Sequence, residues 1–110
     1  MGYSAESVKS TDAKELKSWL DSEKDFYLLD VRSKDEFQRG HIQSATNIPV
    51  TDLQDRVSEV PKDQPIAAIC SSGNRSGIGA KILLRNGYKD VYNVAGGMTA
   101  WRKLGYPVLK

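Results

Sequence analysis

Residues 70–76, Cys-Ser-Ser-Gly-Asn-Arg-Ser, form the segment of the chain best suited to chemistry. The segment follows an apolar run, Ile66–Ile69, and precedes a helical pattern that begins near Arg75. Short polar residues and glycine permit tight or left-handed backbone, so successive N–H groups of this loop can point inward and bind an anion. The start of a helix adds free N–H groups and the positive end of its dipole. Such surroundings can lower a cysteine pKa from about 8.5 into the range of about 3.5 to 7.5, so Cys70 is a candidate nucleophile.

Cys70 also has a purely structural interpretation, because a lone cysteine at the end of an apolar strand is often a small buried hydrophobe. The neighbouring residues favour the catalytic interpretation. Arg75 is the only charged residue between Asp63 and Lys81, and its guanidinium suits either a thiolate or an oxyanionic substrate.

The rest of the chain must place this loop, and its apolar spacing predicts strands that alternate with helices. The predicted strands are 26–31, 45–50 (short, because Pro49 lacks an N–H), 66–69 and 91–94. The predicted helices are 11–21, capped by Thr11 or Asp12; 33–40, with a Ser33/Glu36 capping box; 51–60, with a Thr51/Gln54 box; 75–85, with Ile78, Ile82 and Leu83 on its apolar face; and 98–104. Several strands lack polar alternation, so we expect an α/β fold with a mostly parallel sheet and helices on both faces. Ligands of such sheets bind beyond the carboxyl ends of the strands, where Cys70 lies.

The composition excludes several other classes of protein. The chain has 110 residues, with 16 Lys and Arg against 14 Asp and Glu, a net charge of +2 whose signs are interleaved. This length suits one domain, and so small an excess does not indicate nucleic-acid binding. No apolar run approaches the roughly 18 residues of a membrane span. Residues 1–6 lack a targeting pattern, so we expect a cytoplasmic protein, although a chain whose signal peptide had been removed would look the same. One cysteine can form neither an internal disulfide nor a zinc cluster.

Residues 70–76 resemble the active-site loop of single-domain members of the rhodanese family, which has the pattern C-x-x-G-x-R-S. Further stretches match the family in order and spacing. They are Leu29-Asp30-Val31-Arg32 with Glu36, Gly40-His41-Ile42, Ala45, Asn47-Ile48-Pro49, Gly96-Gly97, Trp101, Gly105 and Pro107-Val108. The resemblance extends from about residue 11 to residue 108 and is highly specific.

The resemblance implies a single rhodanese-like domain over residues 1–110, a three-layer fold with a central sheet of about five strands. It implies that Cys70 takes a sulfane sulfur from thiosulfate or a persulfide donor, becomes a persulfide, and passes the sulfur to cyanide or a thiol. The loop N–H groups that would hold the substrate and the persulfide belong to Ser71, Ser72, Gly73, Asn74, Arg75 and Ser76. We expect no cofactor and no metal. The expected partners are a small anionic sulfur donor and a thiol acceptor, either a small thiol or a thioredoxin-like protein, and the domain is expected to be a monomer without affinity for membranes or nucleic acid.

Two other functions remain open beside that of a sulfurtransferase. Phosphatases and arsenate reductases with a rhodanese-like fold also use a cysteine and an arginine around an anion-binding loop. The phosphatases need five residues between the two, whereas four separate Cys70 from Arg75, which favours a tighter ring suited to one sulfur atom. A non-catalytic interaction module is the third possibility, but the retained cysteine counts against it.

Several other conspicuous residues receive structural interpretations. His41, the sole histidine, is expected to shape a turn rather than act as a base, because a thiolate stabilised by a loop and a helix end needs none. Asp30 and Arg32 are expected to fix neighbouring backbone through charge-assisted hydrogen bonds. Gly96-Gly97 would permit close approach to the cysteine loop. Trp19 and Trp101 are predicted to be core residues.

Overall fold

The computed structural model describes residues 7–110, which form five strands, five α-helices and one 3₁₀ turn. The strands are β1 (Lys9–Asp12), β2 (Tyr27–Asp30), β3 (Thr46–Asn47), β4 (Ile66–Ile69) and β5 (Val91–Ala95). The helices are α1 (Ala13–Asp21), α2 (Lys34–Arg39), α3 (Val50–Arg56), α4 (Asn74–Arg85) and α5 (Gly97–Lys103), and the 3₁₀ turn Val57–Glu59 follows α3.

All five strands run parallel, in the order β1-β5-β4-β2-β3. The expected sheet is thus confirmed, with β4 at its centre. The carboxyl end of β4 lies between those of β2 and β5, so the loop that begins at Cys70 is surrounded by the loops that follow two other strands.

Two apolar clusters, one on each face of the sheet, form the core. Because side chains alternate along a strand, Leu29 and Ile66 belong to one cluster, whereas Leu28 and Ala67 belong to the other. The first cluster contains Leu53 of α3 and Leu83 of α4, and the second contains Leu16 of α1 and Trp101 of α5. Helices therefore cover both faces, as the unbroken apolar strands predict.

Local capping signals explain where two of the helices begin. Asp12 Oδ1 accepts a hydrogen bond from Glu15 N at 2.9 Å, so Asp12 is the cap of α1. At α2, Ser33 Oγ accepts from Glu36 N at 3.2 Å, and Glu36 Oε1 accepts from Ser33 N at 3.0 Å. This reciprocal pair confirms the predicted capping box.

The structure corrects several sequence-based expectations. The Thr51/Gln54 capping box does not form, because α3 already begins at Val50, after Pro49, and has no side-chain cap. Strand β1 was not predicted, because its polar, mostly exposed residues become a strand only by pairing with β5. Ile78 is 57% exposed, so it does not belong to the buried face of α4.

The two tryptophans differ in burial. Trp101 is a core residue, as predicted, whereas Trp19 is only half-buried. The residues predicted to lack a targeting signal, 1–6, lie outside the described part of the chain. Within residues 7–110, no helix is both long and apolar enough to cross a membrane.

Candidate active site

The side chain of Cys70 lies at the base of the loop between β4 and α4, and the residue is 1% exposed. Its Sγ accepts hydrogen bonds from the backbone N–H groups of Gly73 at 3.1 Å and Ser76 at 3.3 Å. The Ser76 hydroxyl lies 3.2 Å from the sulfur. Gly73 is the residue before α4 and has a φ of 108°, a left-handed conformation that glycine adopts without steric cost. The loop therefore closes around the sulfur with amides at its inner side.

Burial alone would raise the pKa of the Cys70 thiol, because a low-polarity environment disfavours the anion. Hydrogen bonds from the Ser76 hydroxyl and from the backbone amides of Ser76, Gly73 and Ser72 oppose that effect. Their sum is larger, and the pKa of Cys70 is lowered below its ordinary value. The site thus favours a thiolate.

Ser76 has a second partner that limits what its hydroxyl can do. Its Oγ also donates to Asn93 Oδ1 at 2.5 Å, while Asn93 Nδ2 donates to Gly73 O at 3.1 Å. A hydroxyl has one proton, so Ser76 donates to the sulfur only by turning away from Asn93. The amides of Gly73 and Ser76 are therefore the constant donors to a Cys70 anion.

The side chain of Arg75 pairs with Glu36 of α2. The two guanidinium nitrogens Nη1 and Nη2 donate to Glu36 Oε1 at 2.6 Å and Oε2 at 2.9 Å. Ser71 Oγ donates to Glu36 Oε2 at 3.1 Å and accepts from Arg75 Nη2 at 3.0 Å. The guanidinium holds the pKa of Glu36 far below its usual range. Glu36 thus joins the cysteine loop to α2 and offsets the positive charge of Arg75.

The cysteine loop packs against the start of α5. Met98 N donates to Cys70 O at 2.8 Å, and Thr99 N donates to Ser71 O at 3.0 Å. Gly97 has a φ of 50°, and a Cβ built there would overlap the Cys70 carbonyl oxygen. Only glycine fits this approach, which agrees with the prediction for Gly96-Gly97.

The predicted site residues thus lie in three different places: at the sulfur, at Glu36, and on the exposed side of the loop. Cys70, Gly73 and Ser76 meet at the sulfur, and Ser71 and Arg75 meet at Glu36. Ser72 and Asn74 are exposed at the rim of the loop. Sequence reasoning missed the roles of Glu36 and Asn93; for Glu36, the isolated charge of Arg75 was a signal that a carboxylate should lie opposite.

The family model of the rhodanese-like domain matches residues 12–104 of this chain. The chain belongs to this family. The chain is 34% identical to a sulfurtransferase of Allochromatium vinosum over 102 residues, which are 93% of this chain and 95% of that protein. It is 42% identical over 74 residues to the protein YqhL of Bacillus subtilis, covering 67% of this chain but only 59% of that relative. A rhodanese-related protein of Thermoplasma volcanium has a similar crystal structure, with a TM-score of 0.83, 31% identity, and coverage of 93% of this chain and 98% of that chain.

Two further motif residues of this rhodanese-like domain form a buried ion pair beside the loop. Arg32 Nη2 lies 2.7 Å from Asp30 Oδ2, with side chains 4% and 0% exposed. Arg32 also donates to Gly40 O at 2.8 Å, and Asn47 Nδ2 donates to the carbonyl oxygens of both Asp30 and Arg32 at 2.9 Å. The pair fixes the backbone after β2, as expected from the sequence.

His41 has structural contacts in the rhodanese-like fold. Its Nδ1 lies 2.8 Å from Phe37 O, its ring stacks on that of Phe37, and its backbone pairs with Leu109. None of these contacts involves Cys70. Among residues 7–110, no group of three or more His, Cys, Asp or Glu side chains could hold a metal ion.

Proposed function

We propose that this domain is a sulfurtransferase in which Cys70 is the nucleophile and the carrier of the transferred sulfur. The observation that supports this proposal best is the coordination of Cys70 Sγ by the amides of Gly73 and Ser76, at 3.1 and 3.3 Å. These donors are fixed by the backbone and need no rearrangement when negative charge develops on sulfur. The names of similar proteins, including the A. vinosum sulfurtransferase, support the same reaction class.

In the first step, the Cys70 thiolate attacks the outer sulfur of thiosulfate. A bond forms between the two sulfur atoms, the S–S bond of thiosulfate breaks, and its electron pair leaves with sulfite. Cys70 becomes a persulfide whose negative charge moves from Sγ to the added sulfur. We propose that the loop N–H groups of residues 71–76 hold this sulfur, because those of Gly73 and Ser76 already donate to Sγ.

In the second step, an acceptor attacks the added sulfur, and the electron pair of the S–S bond returns to Cys70 as a thiolate. With cyanide the product is thiocyanate, and with a thiolate it is a new persulfide. The proposed donor is a small anionic sulfur compound, either thiosulfate or a persulfide. The proposed acceptor is a small thiol or a thioredoxin-like protein.

In the proposed mechanism, the main role of Arg75 is to hold the cysteine loop in place. The sequence predicts that its charge draws in and orients an anionic donor, but both of its Nη nitrogens donate to the carboxylate of Glu36. The net attraction of this pair for an anion is therefore weak. Its bonds to Glu36 and Ser71 instead keep the loop in the conformation that surrounds Cys70.

The test is an intact-mass measurement of the purified protein before and after thiosulfate treatment. The expected result is the addition of one sulfur atom, which cyanide or a thiol then removes. Cys70→Ser is the matched control, because it changes one atom of a buried side chain and should prevent both the adduct and thiosulfate:cyanide sulfurtransferase activity. Turnover by Cys70→Ser, or efficient hydrolysis of aryl phosphates by a protein that forms no adduct, would overturn the proposal.

A further inference from the structure

A groove of about 270 Å³ lies beside the cysteine loop, and three arginines line it. Arg39, at the end of α2, and Arg102, in the last turn of α5, line it together with Ser71, Met98 and Thr99. We propose that this Arg39–Arg102 groove binds the carboxylates of a small thiol that accepts sulfur from Cys70. The inference rests on the proposed function and specifies its acceptor.

The charges around the groove support an anionic ligand. Arg32 and Glu36 also line it, but Asp30 neutralises the first and Arg75 neutralises the second. Arg39 and Arg102 form no ion pair with any carboxylate of residues 7–110. The lining therefore carries two uncompensated positive charges.

The two cations line the same groove, although 63 positions separate them in the sequence. The Arg102 guanidinium lies so near Gly40, the residue after Arg39, that a methyl group added at Gly40 would overlap it. Each arginine lies in the last turn of its helix, where a cation interacts favourably with the helix dipole. The helix dipole explains why each helix has an arginine in its last turn. It does not explain why both arginines line one groove, where a bound anion would reduce the repulsion between their charges.

The groove also lies within reach of the nucleophile. Ser71, which lines it, follows Cys70 directly, and consecutive Cα atoms lie about 3.8 Å apart. Met98 and Thr99, which also line the groove, donate their N–H groups to Cys70 O and Ser71 O. A thiol that carries carboxylates can therefore bind in the groove while its sulfur lies near the cysteine loop.

Transfer of the sulfur from the Cys70 persulfide to the acceptor thiol needs no further reactant. The acceptor thiol loses its proton to water, and its thiolate attacks the outer sulfur of the Cys70 persulfide. A new S–S bond forms on the acceptor, the bond to Cys70 breaks, and its electron pair returns to Sγ. Binding of the carboxylates lowers the entropy cost of bringing the thiolate to the persulfide.

Mercaptosuccinate and 1-thioglycerol are suitable probes. Both are small thiols, but the first carries two carboxylates and the second carries two uncharged hydroxyl groups. The protein is loaded with thiosulfate, freed of excess donor, and mixed with each thiol while loss of the one-sulfur adduct is followed by mass. Arg39→Gln and Arg102→Gln are each expected to lower the ratio of the mercaptosuccinate to the thioglycerol rate constant about two- to fivefold, and the double variant about tenfold. Arg85→Gln removes the same charge from the exposed end of α4, away from the groove, and should leave the ratio unchanged.

The result separates this inference from the proposed function. Failure of the wild-type protein to acquire sulfur would overturn the proposed function and the inference with it. Normal loading, followed by an unchanged ratio in the groove variants or an equal fall in Arg85→Gln, would overturn only the inference. Added salt should reduce the wild-type ratio and have less effect on the double variant, because the two positive charges cause the preference.

Discussion

Replacing Glu36 by Gln should loosen the cysteine loop without disturbing the core. The substitution keeps the size and one acceptor oxygen of the side chain but removes its charge. The remaining amide oxygen can still accept the capping bond from Ser33 N. Two other interactions are weakened together: the bidentate pair with Arg75 and the bond from Ser71 Oγ. These contacts link α2 to the loop after β4 across 35 to 39 positions of the sequence, so they constrain tertiary structure rather than one helix.

The size of the effect follows from the exposure of the pair. The side chains of Arg75 and Glu36 are 36% and 29% exposed, so solvent screens their attraction in part. Exposed pairs contribute about 0.2–1 kcal/mol, and hydrogen bonds to charged groups about 1.5–3 kcal/mol. We expect Glu36→Gln to lower the free energy of unfolding by about 1–2 kcal/mol, which for a domain of this size lowers the urea midpoint by about 0.5–1 M.

The pH dependence of this difference has a defined sign. The pKa of Glu36 is depressed in the folded protein, whereas in the unfolded chain it is close to the ordinary value of about 4.3. The stabilisation is therefore present above about pH 4.3 and is lost as the pH falls through the folded-state pKa. The difference between wild type and Glu36→Gln should be constant from pH 6 to 8 and should shrink below about pH 4.3.

Urea unfolding followed by tryptophan fluorescence measures the effect, because Trp101 is buried. Glu59→Gln is the matched control, since Glu59 also accepts two hydrogen bonds from one arginine, Arg56, but three positions away and on an exposed surface. Its midpoint should move less. Equal midpoint shifts in the two variants, or no shift in Glu36→Gln, would refute the structural role assigned to Glu36.

Three further substitutions test the loop and the backbone beside it. Ser76→Ala should raise the pH midpoint of iodoacetamide alkylation of Cys70, because it removes a hydroxyl that can turn from Asn93 to donate to the thiolate. In the wild type that midpoint should lie below the free-thiol value of about 8.5, and a lower midpoint in the variant would contradict the argument. Gly97→Ala should lower the free energy of unfolding in urea by at least about 2 kcal/mol, since the new Cβ meets the loop backbone. Gly105→Ala is its control, because Gly105 also has a positive φ, of 75°, but open space around it, and an equal loss would mean that backbone strain alone is responsible. Asp30→Asn leaves a buried guanidinium without its carboxylate and should cost about 3–5 kcal/mol in the same assay; a loss below about 1 kcal/mol would show that the ion pair is dispensable.

Features that depend on neighbouring residues could be predicted from the sequence. The capping box of Ser33 and Glu36 forms within one helical turn, and the apolar run Ile66–Ile69 is buried on both faces. The loop after it contains residues that allow its conformation, including Gly73 at a positive φ. Most strands and helices are also recognised from their own residues, and their alternation along the chain predicted the parallel sheet correctly.

Features that depend on pairing between distant segments could not be predicted in the same way. Strand β1 has polar residues and owes its conformation to hydrogen bonds with β5, more than 80 positions away. Ile78 fits the apolar spacing of α4 but faces solvent, because spacing identifies a helix face and not what covers it. The Thr51/Gln54 spacing is present, yet α3 starts one residue earlier, after Pro49, whose fixed φ suits the entry to a helix.

The sequence by itself determined the family, and it predicted the candidate nucleophile and the loop around it, because these depend on residue types at short, fixed spacing. Only the tertiary structure decided where the charges near Cys70 act. Arg75 is close to Cys70 in sequence, but its guanidinium is held by Glu36 from α2. Arg39 of α2 and Arg102 of α5, which form no ion pair within residues 7–110, line one groove. Electrostatic interactions depend on distance through space, and the parallel sheet brings to one edge groups that the linear order of the chain keeps apart.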